Sequence, residues 1–170
     1  TRSIWPPQPS GLARAAWCLA AWVVLLTGSA AGSDGRVVQW GSSSDFGIGL
    51  GAPPASVDGT DGTATAIAAN YNHACAIRAA TSGVVCWVGR AASVDFGEAT
   101  PPSSVNGSDG TASAVAAGWY HSCAIQAGTG AVICWGYNYQ GQATPPPDVN
   151  GTAGTAVAIS AGGNHSCAIQ

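Results

Sequence analysis

The chain has 170 residues with five arginines, no lysine and eight acidic side chains, a formal net charge of −3. A nucleic-acid binder normally turns a basic face to the phosphates, so this balance disfavours DNA or RNA as a partner. Ala and Val make up most of the apolar fraction, Gly, Ser and Thr are abundant, and Pro comes in clusters, which suits short strands and tight turns better than long helices.

The sequence lacks Met and stops at Gln170 in the middle of a repeated unit, so it reads as a fragment of a longer protein. After the proline-rich TRSIWPPQPS comes LARAAWCLAAWVVLLTGSAAG. Arg14 supplies a positive n-region, Ala15–Leu26 an apolar h-region, and Ser29-Ala30-Ala31 a small-residue cleavage site. The apolar run is short of the ~20 residues of a spanning helix. A cleaved signal peptide is therefore favoured over an uncleaved anchor or a buried helix. Residues 1–32 are assigned to an extension and signal helix, and 37–170 to the folded part. Entry into the secretory path implies an extracellular or secretory-pathway location, with membrane attachment only if the segment is kept as an anchor.

From Val37 onward one phrase recurs. His73, His121 and His165 are 48 and 44 residues apart. Cys75, Cys123 and Cys167 keep these intervals, as do the pairs Pro53-Pro54, Pro101-Pro102 and Pro145-Pro146. So do the turns Asp58-Gly59, Asn106-Gly107 and Asn150-Gly151. A partial copy begins at VVQWG, where Trp40 matches Trp87 and Trp135. Self-similarity at this period means a solenoid, a propeller or an array.

Each period predicts three or four short strands. TASAVAAG (Thr111–Gly118) is a run of small, β-tolerant residues ending in Gly. HSCAIQ (His121–Gln126) alternates, with His121, Cys123 and Ile125 on one side, and AVICWG (Ala131–Gly136) is a third β-prone run. No amphipathic stretch of ten or more residues follows the signal region, which argues against helical repeats. Short strands punctuated by Gly and Asx-Gly turns describe the blade of a β-propeller. The expected fold is thus all-β: a partial propeller of fewer than three whole blades, at about 37–87, 88–135 and 136–170, the last incomplete.

These residues carry a family resemblance. AAGWYHSCAIQAGTGAVICWGYNYQGQ resembles the repeat of the regulator of chromosome condensation family: a small-residue strand ending in Gly, His-Ser, a hairpin, Trp-Gly, then Asn-x-x-Gly-Gln. The resemblance implies propellers, usually of seven blades, so this chain would not close a ring alone. The copy at VGRAASVDFGEA departs from it, with Val88 interrupting Trp-Gly and no Asn-x-x-Gly-Gln after it.

Cys75 and Cys86, like Cys123 and Cys134, are separated by ten residues. In a hairpin this even number allows each pair to stand opposite, within bridging reach. Two disulfides, Cys75–Cys86 and Cys123–Cys134, are expected in an oxidising compartment, the alternative being reduced core cysteines. Pairing Cys123 with Cys134 sets Ile125 opposite Val132 and leaves Gly128-Thr129 as a two-residue type II′ loop. The first copy, with Ala80-Thr81 there, predicts a longer loop. Zinc is disfavoured because no C-x₂-C or H-x₃-H pair exists. Turn chemistry explains the Asp-Gly loops better than calcium. A Cys-His nucleophile is disfavoured because a repeat would supply it many times over. No cofactor and no catalytic residue are expected, and the histidines are read as fixing turns.

Sequons at Asn106 and Asn150 occupy the same loop of successive repeats and are candidate glycosylation sites, with a further sequon at Asn164. Trp119, Tyr120, Tyr137 and Tyr139 flank turns and are candidate partner contacts, against the plainer reading as blade packing. Three functions remain: a secreted or cell-surface module binding an unidentified protein, an enzyme, and a regulator of a small GTPase. The resemblance implies the last, because the founding member acts on a small nuclear GTPase and binds chromatin. A signal peptide, paired cysteines and no basic face favour the first.

Overall fold

A computed structural model describes residues 34–41, 50–89 and 96–170. The expected signal helix and Cys18 lie outside these residues. Strands β1 (Ala64–Asn70), β2 (His73–Arg78) and β3 (Val84–Val88) form one antiparallel sheet in sequence order. After a short helix α1 (Ser103–Asn106), β4 (Ala112–Ala117), β5 (His121–Gln126) and β6 (Val132–Gly136) repeat the arrangement. β7 (Ala158–Ala161) and β8 (Ser166–Ile169) form a two-stranded sheet. The three sheets stack in chain order: β4 lies against β1 and β2, and β7 against β4 and β5.

Stacking explains the composition. The middle strands are buried on both faces, His73–Ile77 and His121–Ile125 without a break. The alternation read in HSCAIQ therefore separates two covered faces, not an inner from a wet one. Sheets this close need small side chains between them, which Ala74, Ala76, Ala112 and Ala124 supply. Trp135 fills the remaining volume, packed among Cys75, Ile77, Val84, Val105, Ala112 and Ala124 of both sheets. Before each inner strand a proline-led turn drops one valine, Val57, Val105 or Val149, onto the hairpin beneath. Fully burying such a side chain contributes about 1.5–3 kcal/mol.

The hairpin register is as expected, with Cys75 opposite Cys86, Cys123 opposite Cys134 and Ile125 opposite Val132. The loops differ from expectation. Gln126 N donates to Ala131 O at 2.8 Å and Gly130 N to Gln126 O at 3.0 Å, so four residues, Ala127–Gly130, make the turn. Ala127 is drawn off to donate to Thr111 O at 2.9 Å instead of closing a two-residue II′ loop. The first copy uses the same loop and not a longer one: Arg78 N to Gly83 O at 3.0 Å, Ser82 N to Arg78 O at 2.8 Å. The left-handed position common to both is the fourth, Gly130 at φ 71° and Ser82 at φ 52°. Ala80 therefore needs no glycine. Val88 pairs with His73 as Gly136 pairs with His121, so it replaces the glycine and inserts nothing.

Candidate functional site

The histidines tie one repeat to the next. His73 Nε2 lies 2.8 Å from Ser122 Oγ, and His121 Nε2 lies 3.0 Å from Ser166 Oγ. Each serine hydroxyl also reaches a loop carbonyl at 3.0 Å, Glu98 O for Ser122 and Gln142 O for Ser166. His73 thus holds a turn through Asn72 and, through Ser122, a loop, and in doing so it also bridges stacked sheets. The reason is strand position, since a central strand offers its side chains only to neighbouring sheets.

From Phe96 onward, the departing outer loop matches its counterpart after β6. Phe96 N donates to Glu98 Oε2 at 2.9 Å, as Gln140 N donates to Gln142 Oε1 at 3.0 Å. Glu98, fully buried, takes the glutamine's place, and Asn72 Nδ2 donates to its Oε1 at 2.8 Å. Asn72 Oδ1 in turn lies 3.1 Å from His73 Nδ1. Trp135 Nε1 donates to Glu98 O at 2.9 Å, so that carbonyl is satisfied whichever way the Ser122 proton turns. Sequence reading missed Asn72 and Glu98. Aligning Gly97-Glu98-Ala99-Thr100-Pro101-Pro102 with Gly141-Gln142-Ala143-Thr144-Pro145-Pro146 would have found Glu98.

Burial pushes the His73 imidazole down to about 4, with Glu98 opposing the shift and His121 adding to it. A neutral His73 donating from Nδ1 to Asn72 accepts the Ser122 proton at Nε2. In the second copy Tyr120 stands where Asn72 does, and His121 Nδ1 has no partner among the described residues. The His121 pKa is also lowered, chiefly by burial and then by His165. Its Nε2 shares a hydrogen bond with Ser166 Oγ.

Ser122, His73 and Asn72 are wired like a nucleophile, a base and an orienting amide. Burial decides against that chemistry: Ser122 and His73 have no exposed surface, with Trp135 packed over the same loop. The cysteines are bonded, Cys75–Cys86 and Cys123–Cys134 each at 2.07 Å, with Cα atoms 4.0 and 4.1 Å apart. Cys167 on β8 is free and exposed. No cluster of three metal-ligating side chains occurs among the described residues.

Asn106 and Asn150 each accept a backbone N–H two residues on, from Ser108 and Thr152, both at 2.9 Å. Their Nδ2 atoms donate to Pro101 O and Pro145 O at 3.3 Å. The nitrogen a glycan would take thus holds the turn, and Asp58 makes the same turn with Thr60 N at 2.8 Å.

One end of the stack turns a run of aromatic side chains to solvent. The β1–β2 and β4–β5 turns and the loops after β3 and β6 meet at one end of the stack. There Trp119, Tyr71, Tyr120, Phe96, Tyr137 and Tyr139 touch in sequence, with ring centroids 4.7 to 6.4 Å apart. Trp119 is 47 %, Tyr71 52 % and Tyr139 84 % exposed, while Tyr120 and Tyr137 are half-buried beneath them. All four aromatics singled out in the sequence lie on this ridge. Tyr71 and Phe96 were missed, Tyr71 because it precedes His73 where the second copy has a plainer Trp-Tyr pair. Partial burial and a hydroxyl hydrogen bond with Tyr71 push the Tyr120 phenol pKa up.

Residues 112–142, from β4 through the outer loop, match the regulator of chromosome condensation (RCC1) repeat. No curated protein matches the chain. Among solved structures it is similar to the CRINKLY WD40 ectodomain of the receptor kinase ACR4 from Arabidopsis thaliana. Identity is 24 % and the TM-score 0.54, over 80 % of this chain and 39 % of that one. The ectodomain of the Physcomitrella patens receptor kinase CR4 matches at 25 % identity and TM-score 0.43, over 64 % and 27 %. Prp20p of Saccharomyces cerevisiae, described with its binding to Gsp1p and histones, matches at 20 % and 0.45, over 64 % and 31 %. The chain spans less than half the length of each. Residues 112–142 match one RCC1-type repeat, and the fold is that of propeller blades.

Proposed function

We propose that this run of RCC1-type blades is a non-catalytic module of the extracellular space or secretory pathway that binds a protein through its aromatic end. One observation carries the reading: six aromatic side chains touch in sequence along one end of the stack, with Tyr139, Tyr71 and Trp119 open to solvent, and aromatic residues dominate recognition surfaces. Two disulfides support an oxidising compartment. Likeness of fold to a receptor ectodomain points the same way, and fold alone assigns no activity.

The test has two arms. Residues 1–36 fused to a reporter should send it into the secretory path; a nuclear or cytosolic reporter would favour the alternative, a regulator of a small GTPase. A photo-crosslinking residue placed at Tyr139 of the full chain should then join it to a protein, and one placed at Asp61 should not. Equal crosslinking from both positions would overturn the assignment of the ridge.

A further inference from the structure

All four tyrosines of the chain, Tyr71, Tyr120, Tyr137 and Tyr139, fall within the aromatic ridge, and each has another phenol as a neighbour. The ring centroids of Tyr71 and Tyr120 are 5.5 Å apart, those of Tyr120 and Tyr137 6.4 Å, and those of Tyr137 and Tyr139 6.4 Å. Stacking of the sheets in chain order brings the first pair together. Tyr71 stands in the turn between β1 and β2, and Tyr120 in the turn between β4 and β5 of the next repeat. Phenols in contact have a chemistry that isolated ones lack. Loss of one electron and one proton turns a phenol into a phenoxyl radical, whose unpaired electron is shared between the oxygen and the ring carbons beside it. Two such radicals join through those carbons, and holding them side by side turns an encounter into a step within one molecule.

The three pairs are not equal. Tyr71 and Tyr120 are nearest, and a hydroxyl hydrogen bond joins them. Hydroxyls that share a proton draw together the ring carbons beside them, and in the coupled product the two hydroxyls again flank the new bond. The Tyr71 and Tyr120 planes meet at 73°, and two rings joined by a single bond between hydroxyls are likewise turned out of one plane. Tyr137 and Tyr139, stacked at 19°, would have to turn away from each other's faces first. Tyr71 is exposed, so an oxidant has access to the pair, and Tyr120 lies half-buried against it.

We propose that Tyr71 and Tyr120 are a site of oxidative modification, where a Cε–Cε bond joins the two rings as dityrosine and ties the first blade to the second. Hydrogen peroxide is the oxidant and a haem peroxidase its catalyst. Each phenol gives up one electron and its hydroxyl proton, and the Cε–Cε bond forms between the two radicals. The hydrogen on each joined carbon then moves to the oxygen beside it, which restores both phenols. The two electrons and two protons released convert one peroxide to two waters. A link between residues 71 and 120 restricts the unfolded chain as a disulfide does, so the thermal transition rises once it has formed. The site stands whether or not the ridge also binds a protein.

The full chain, dilute enough to keep copies apart, is treated with a haem peroxidase and hydrogen peroxide, then reduced and digested. Dityrosine fluorescence should appear in the monomer, and mass spectrometry should find the Tyr71 peptide joined to the Tyr120 peptide and lighter by two hydrogens. Tyr71→Phe and Tyr120→Phe should each lower that product about tenfold or more, and so should treatment in urea, because the yield depends on the folded chain holding the rings together. Tyr137→Phe should leave it unchanged. Phenylalanine keeps the ring, and an unaltered thermal transition before oxidation shows that the blades of each variant remain folded. Linkage chiefly between Tyr137 and Tyr139, linkage chiefly between two chains, or a Tyr71–Tyr120 product formed as readily in urea would overturn the proposal. Absence of dityrosine would overturn it too.

Discussion

His73 Nε2 and Ser122 Oγ meet at 2.8 Å although one lies on β2 and the other on β5, a full repeat later. The hydroxyl that joins them also reaches Glu98 O, which accepts from Trp135 as well. Four groups from two blades thus meet at one buried point. The repeat writes His-Ser because the histidine of one copy needs the serine of the next.

Removing that hydroxyl should be costly. Ser122→Ala leaves the buried His73 nitrogen without its partner, and a buried group left unsatisfied costs about 1–3 kcal/mol. Ser166→Ala removes the equivalent contact to His121, but Ser166 is only half-buried, so water can substitute and the loss should be smaller. Urea unfolding of the two variants gives the comparison. Equal losses would show that the contact is not governed by burial.

Stability should fall on acidification. The folded-state pKa of His73 is lowered to about 4, beneath the ordinary 6.5. Between these values the unfolded chain binds a proton that the folded chain refuses, so the stabilisation is present above about 6.5 and declines as pH drops towards 4. His121 is shifted in the same direction. The His73 contribution is at most about 3 kcal/mol. Urea midpoints measured across this range should fall with pH, and His73→Gln should flatten the profile. A profile unchanged by that substitution would show that His73 does not set it.

The blade was legible because its signals are periodic: histidine, cysteine and proline at common intervals fixed three copies, and the ten-residue cysteine spacing fixed the hairpin register. The loop was misread because Gly128 looked like the turn glycine, whereas the chain needs its left-handed residue at the fourth position, which Ser82 fills without advertising it. Glu98 was missed for a related reason. A carboxylate in a glutamine's place breaks the motif on paper, yet it preserves the acceptor that Phe96 N needs. Contacts across repeats, such as His73 to Ser122, have no local signature at all.

Ser82 offers a direct check on that loop. A side chain at φ 52° is strained where glycine is not, so Ser82→Gly should stabilise the chain by up to about 1 kcal/mol. Gly130→Ser should cost more than that gain, because a Cβ there would also stand 2.9 Å from Thr155 Cβ. Opposite signs in thermal denaturation are expected; a loss from both changes would show that Ser82 is held by something other than the turn.

The disulfides should be distinguishable from the free thiol by access alone. Cys75 and Cys123 are fully buried and bonded, whereas Cys167 is exposed on β8. A maleimide added to the native, unreduced chain should therefore modify Cys167 and leave the four bonded residues untouched. Reductant should open the pairs slowly in the folded chain, since Cys75 and Cys123 are fully buried and their partners half-buried. Replacing Cys123 and Cys134 together by Ala should cost about 2–3 kcal/mol, the loop-closure entropy that a bridge of this span removes from the unfolded chain. Peptide mass spectrometry after labelling reads the first outcome, and urea unfolding the second. Prompt labelling of Cys123 or Cys134 in the native chain would mean that the hairpin is held by its backbone and packing without the bridge.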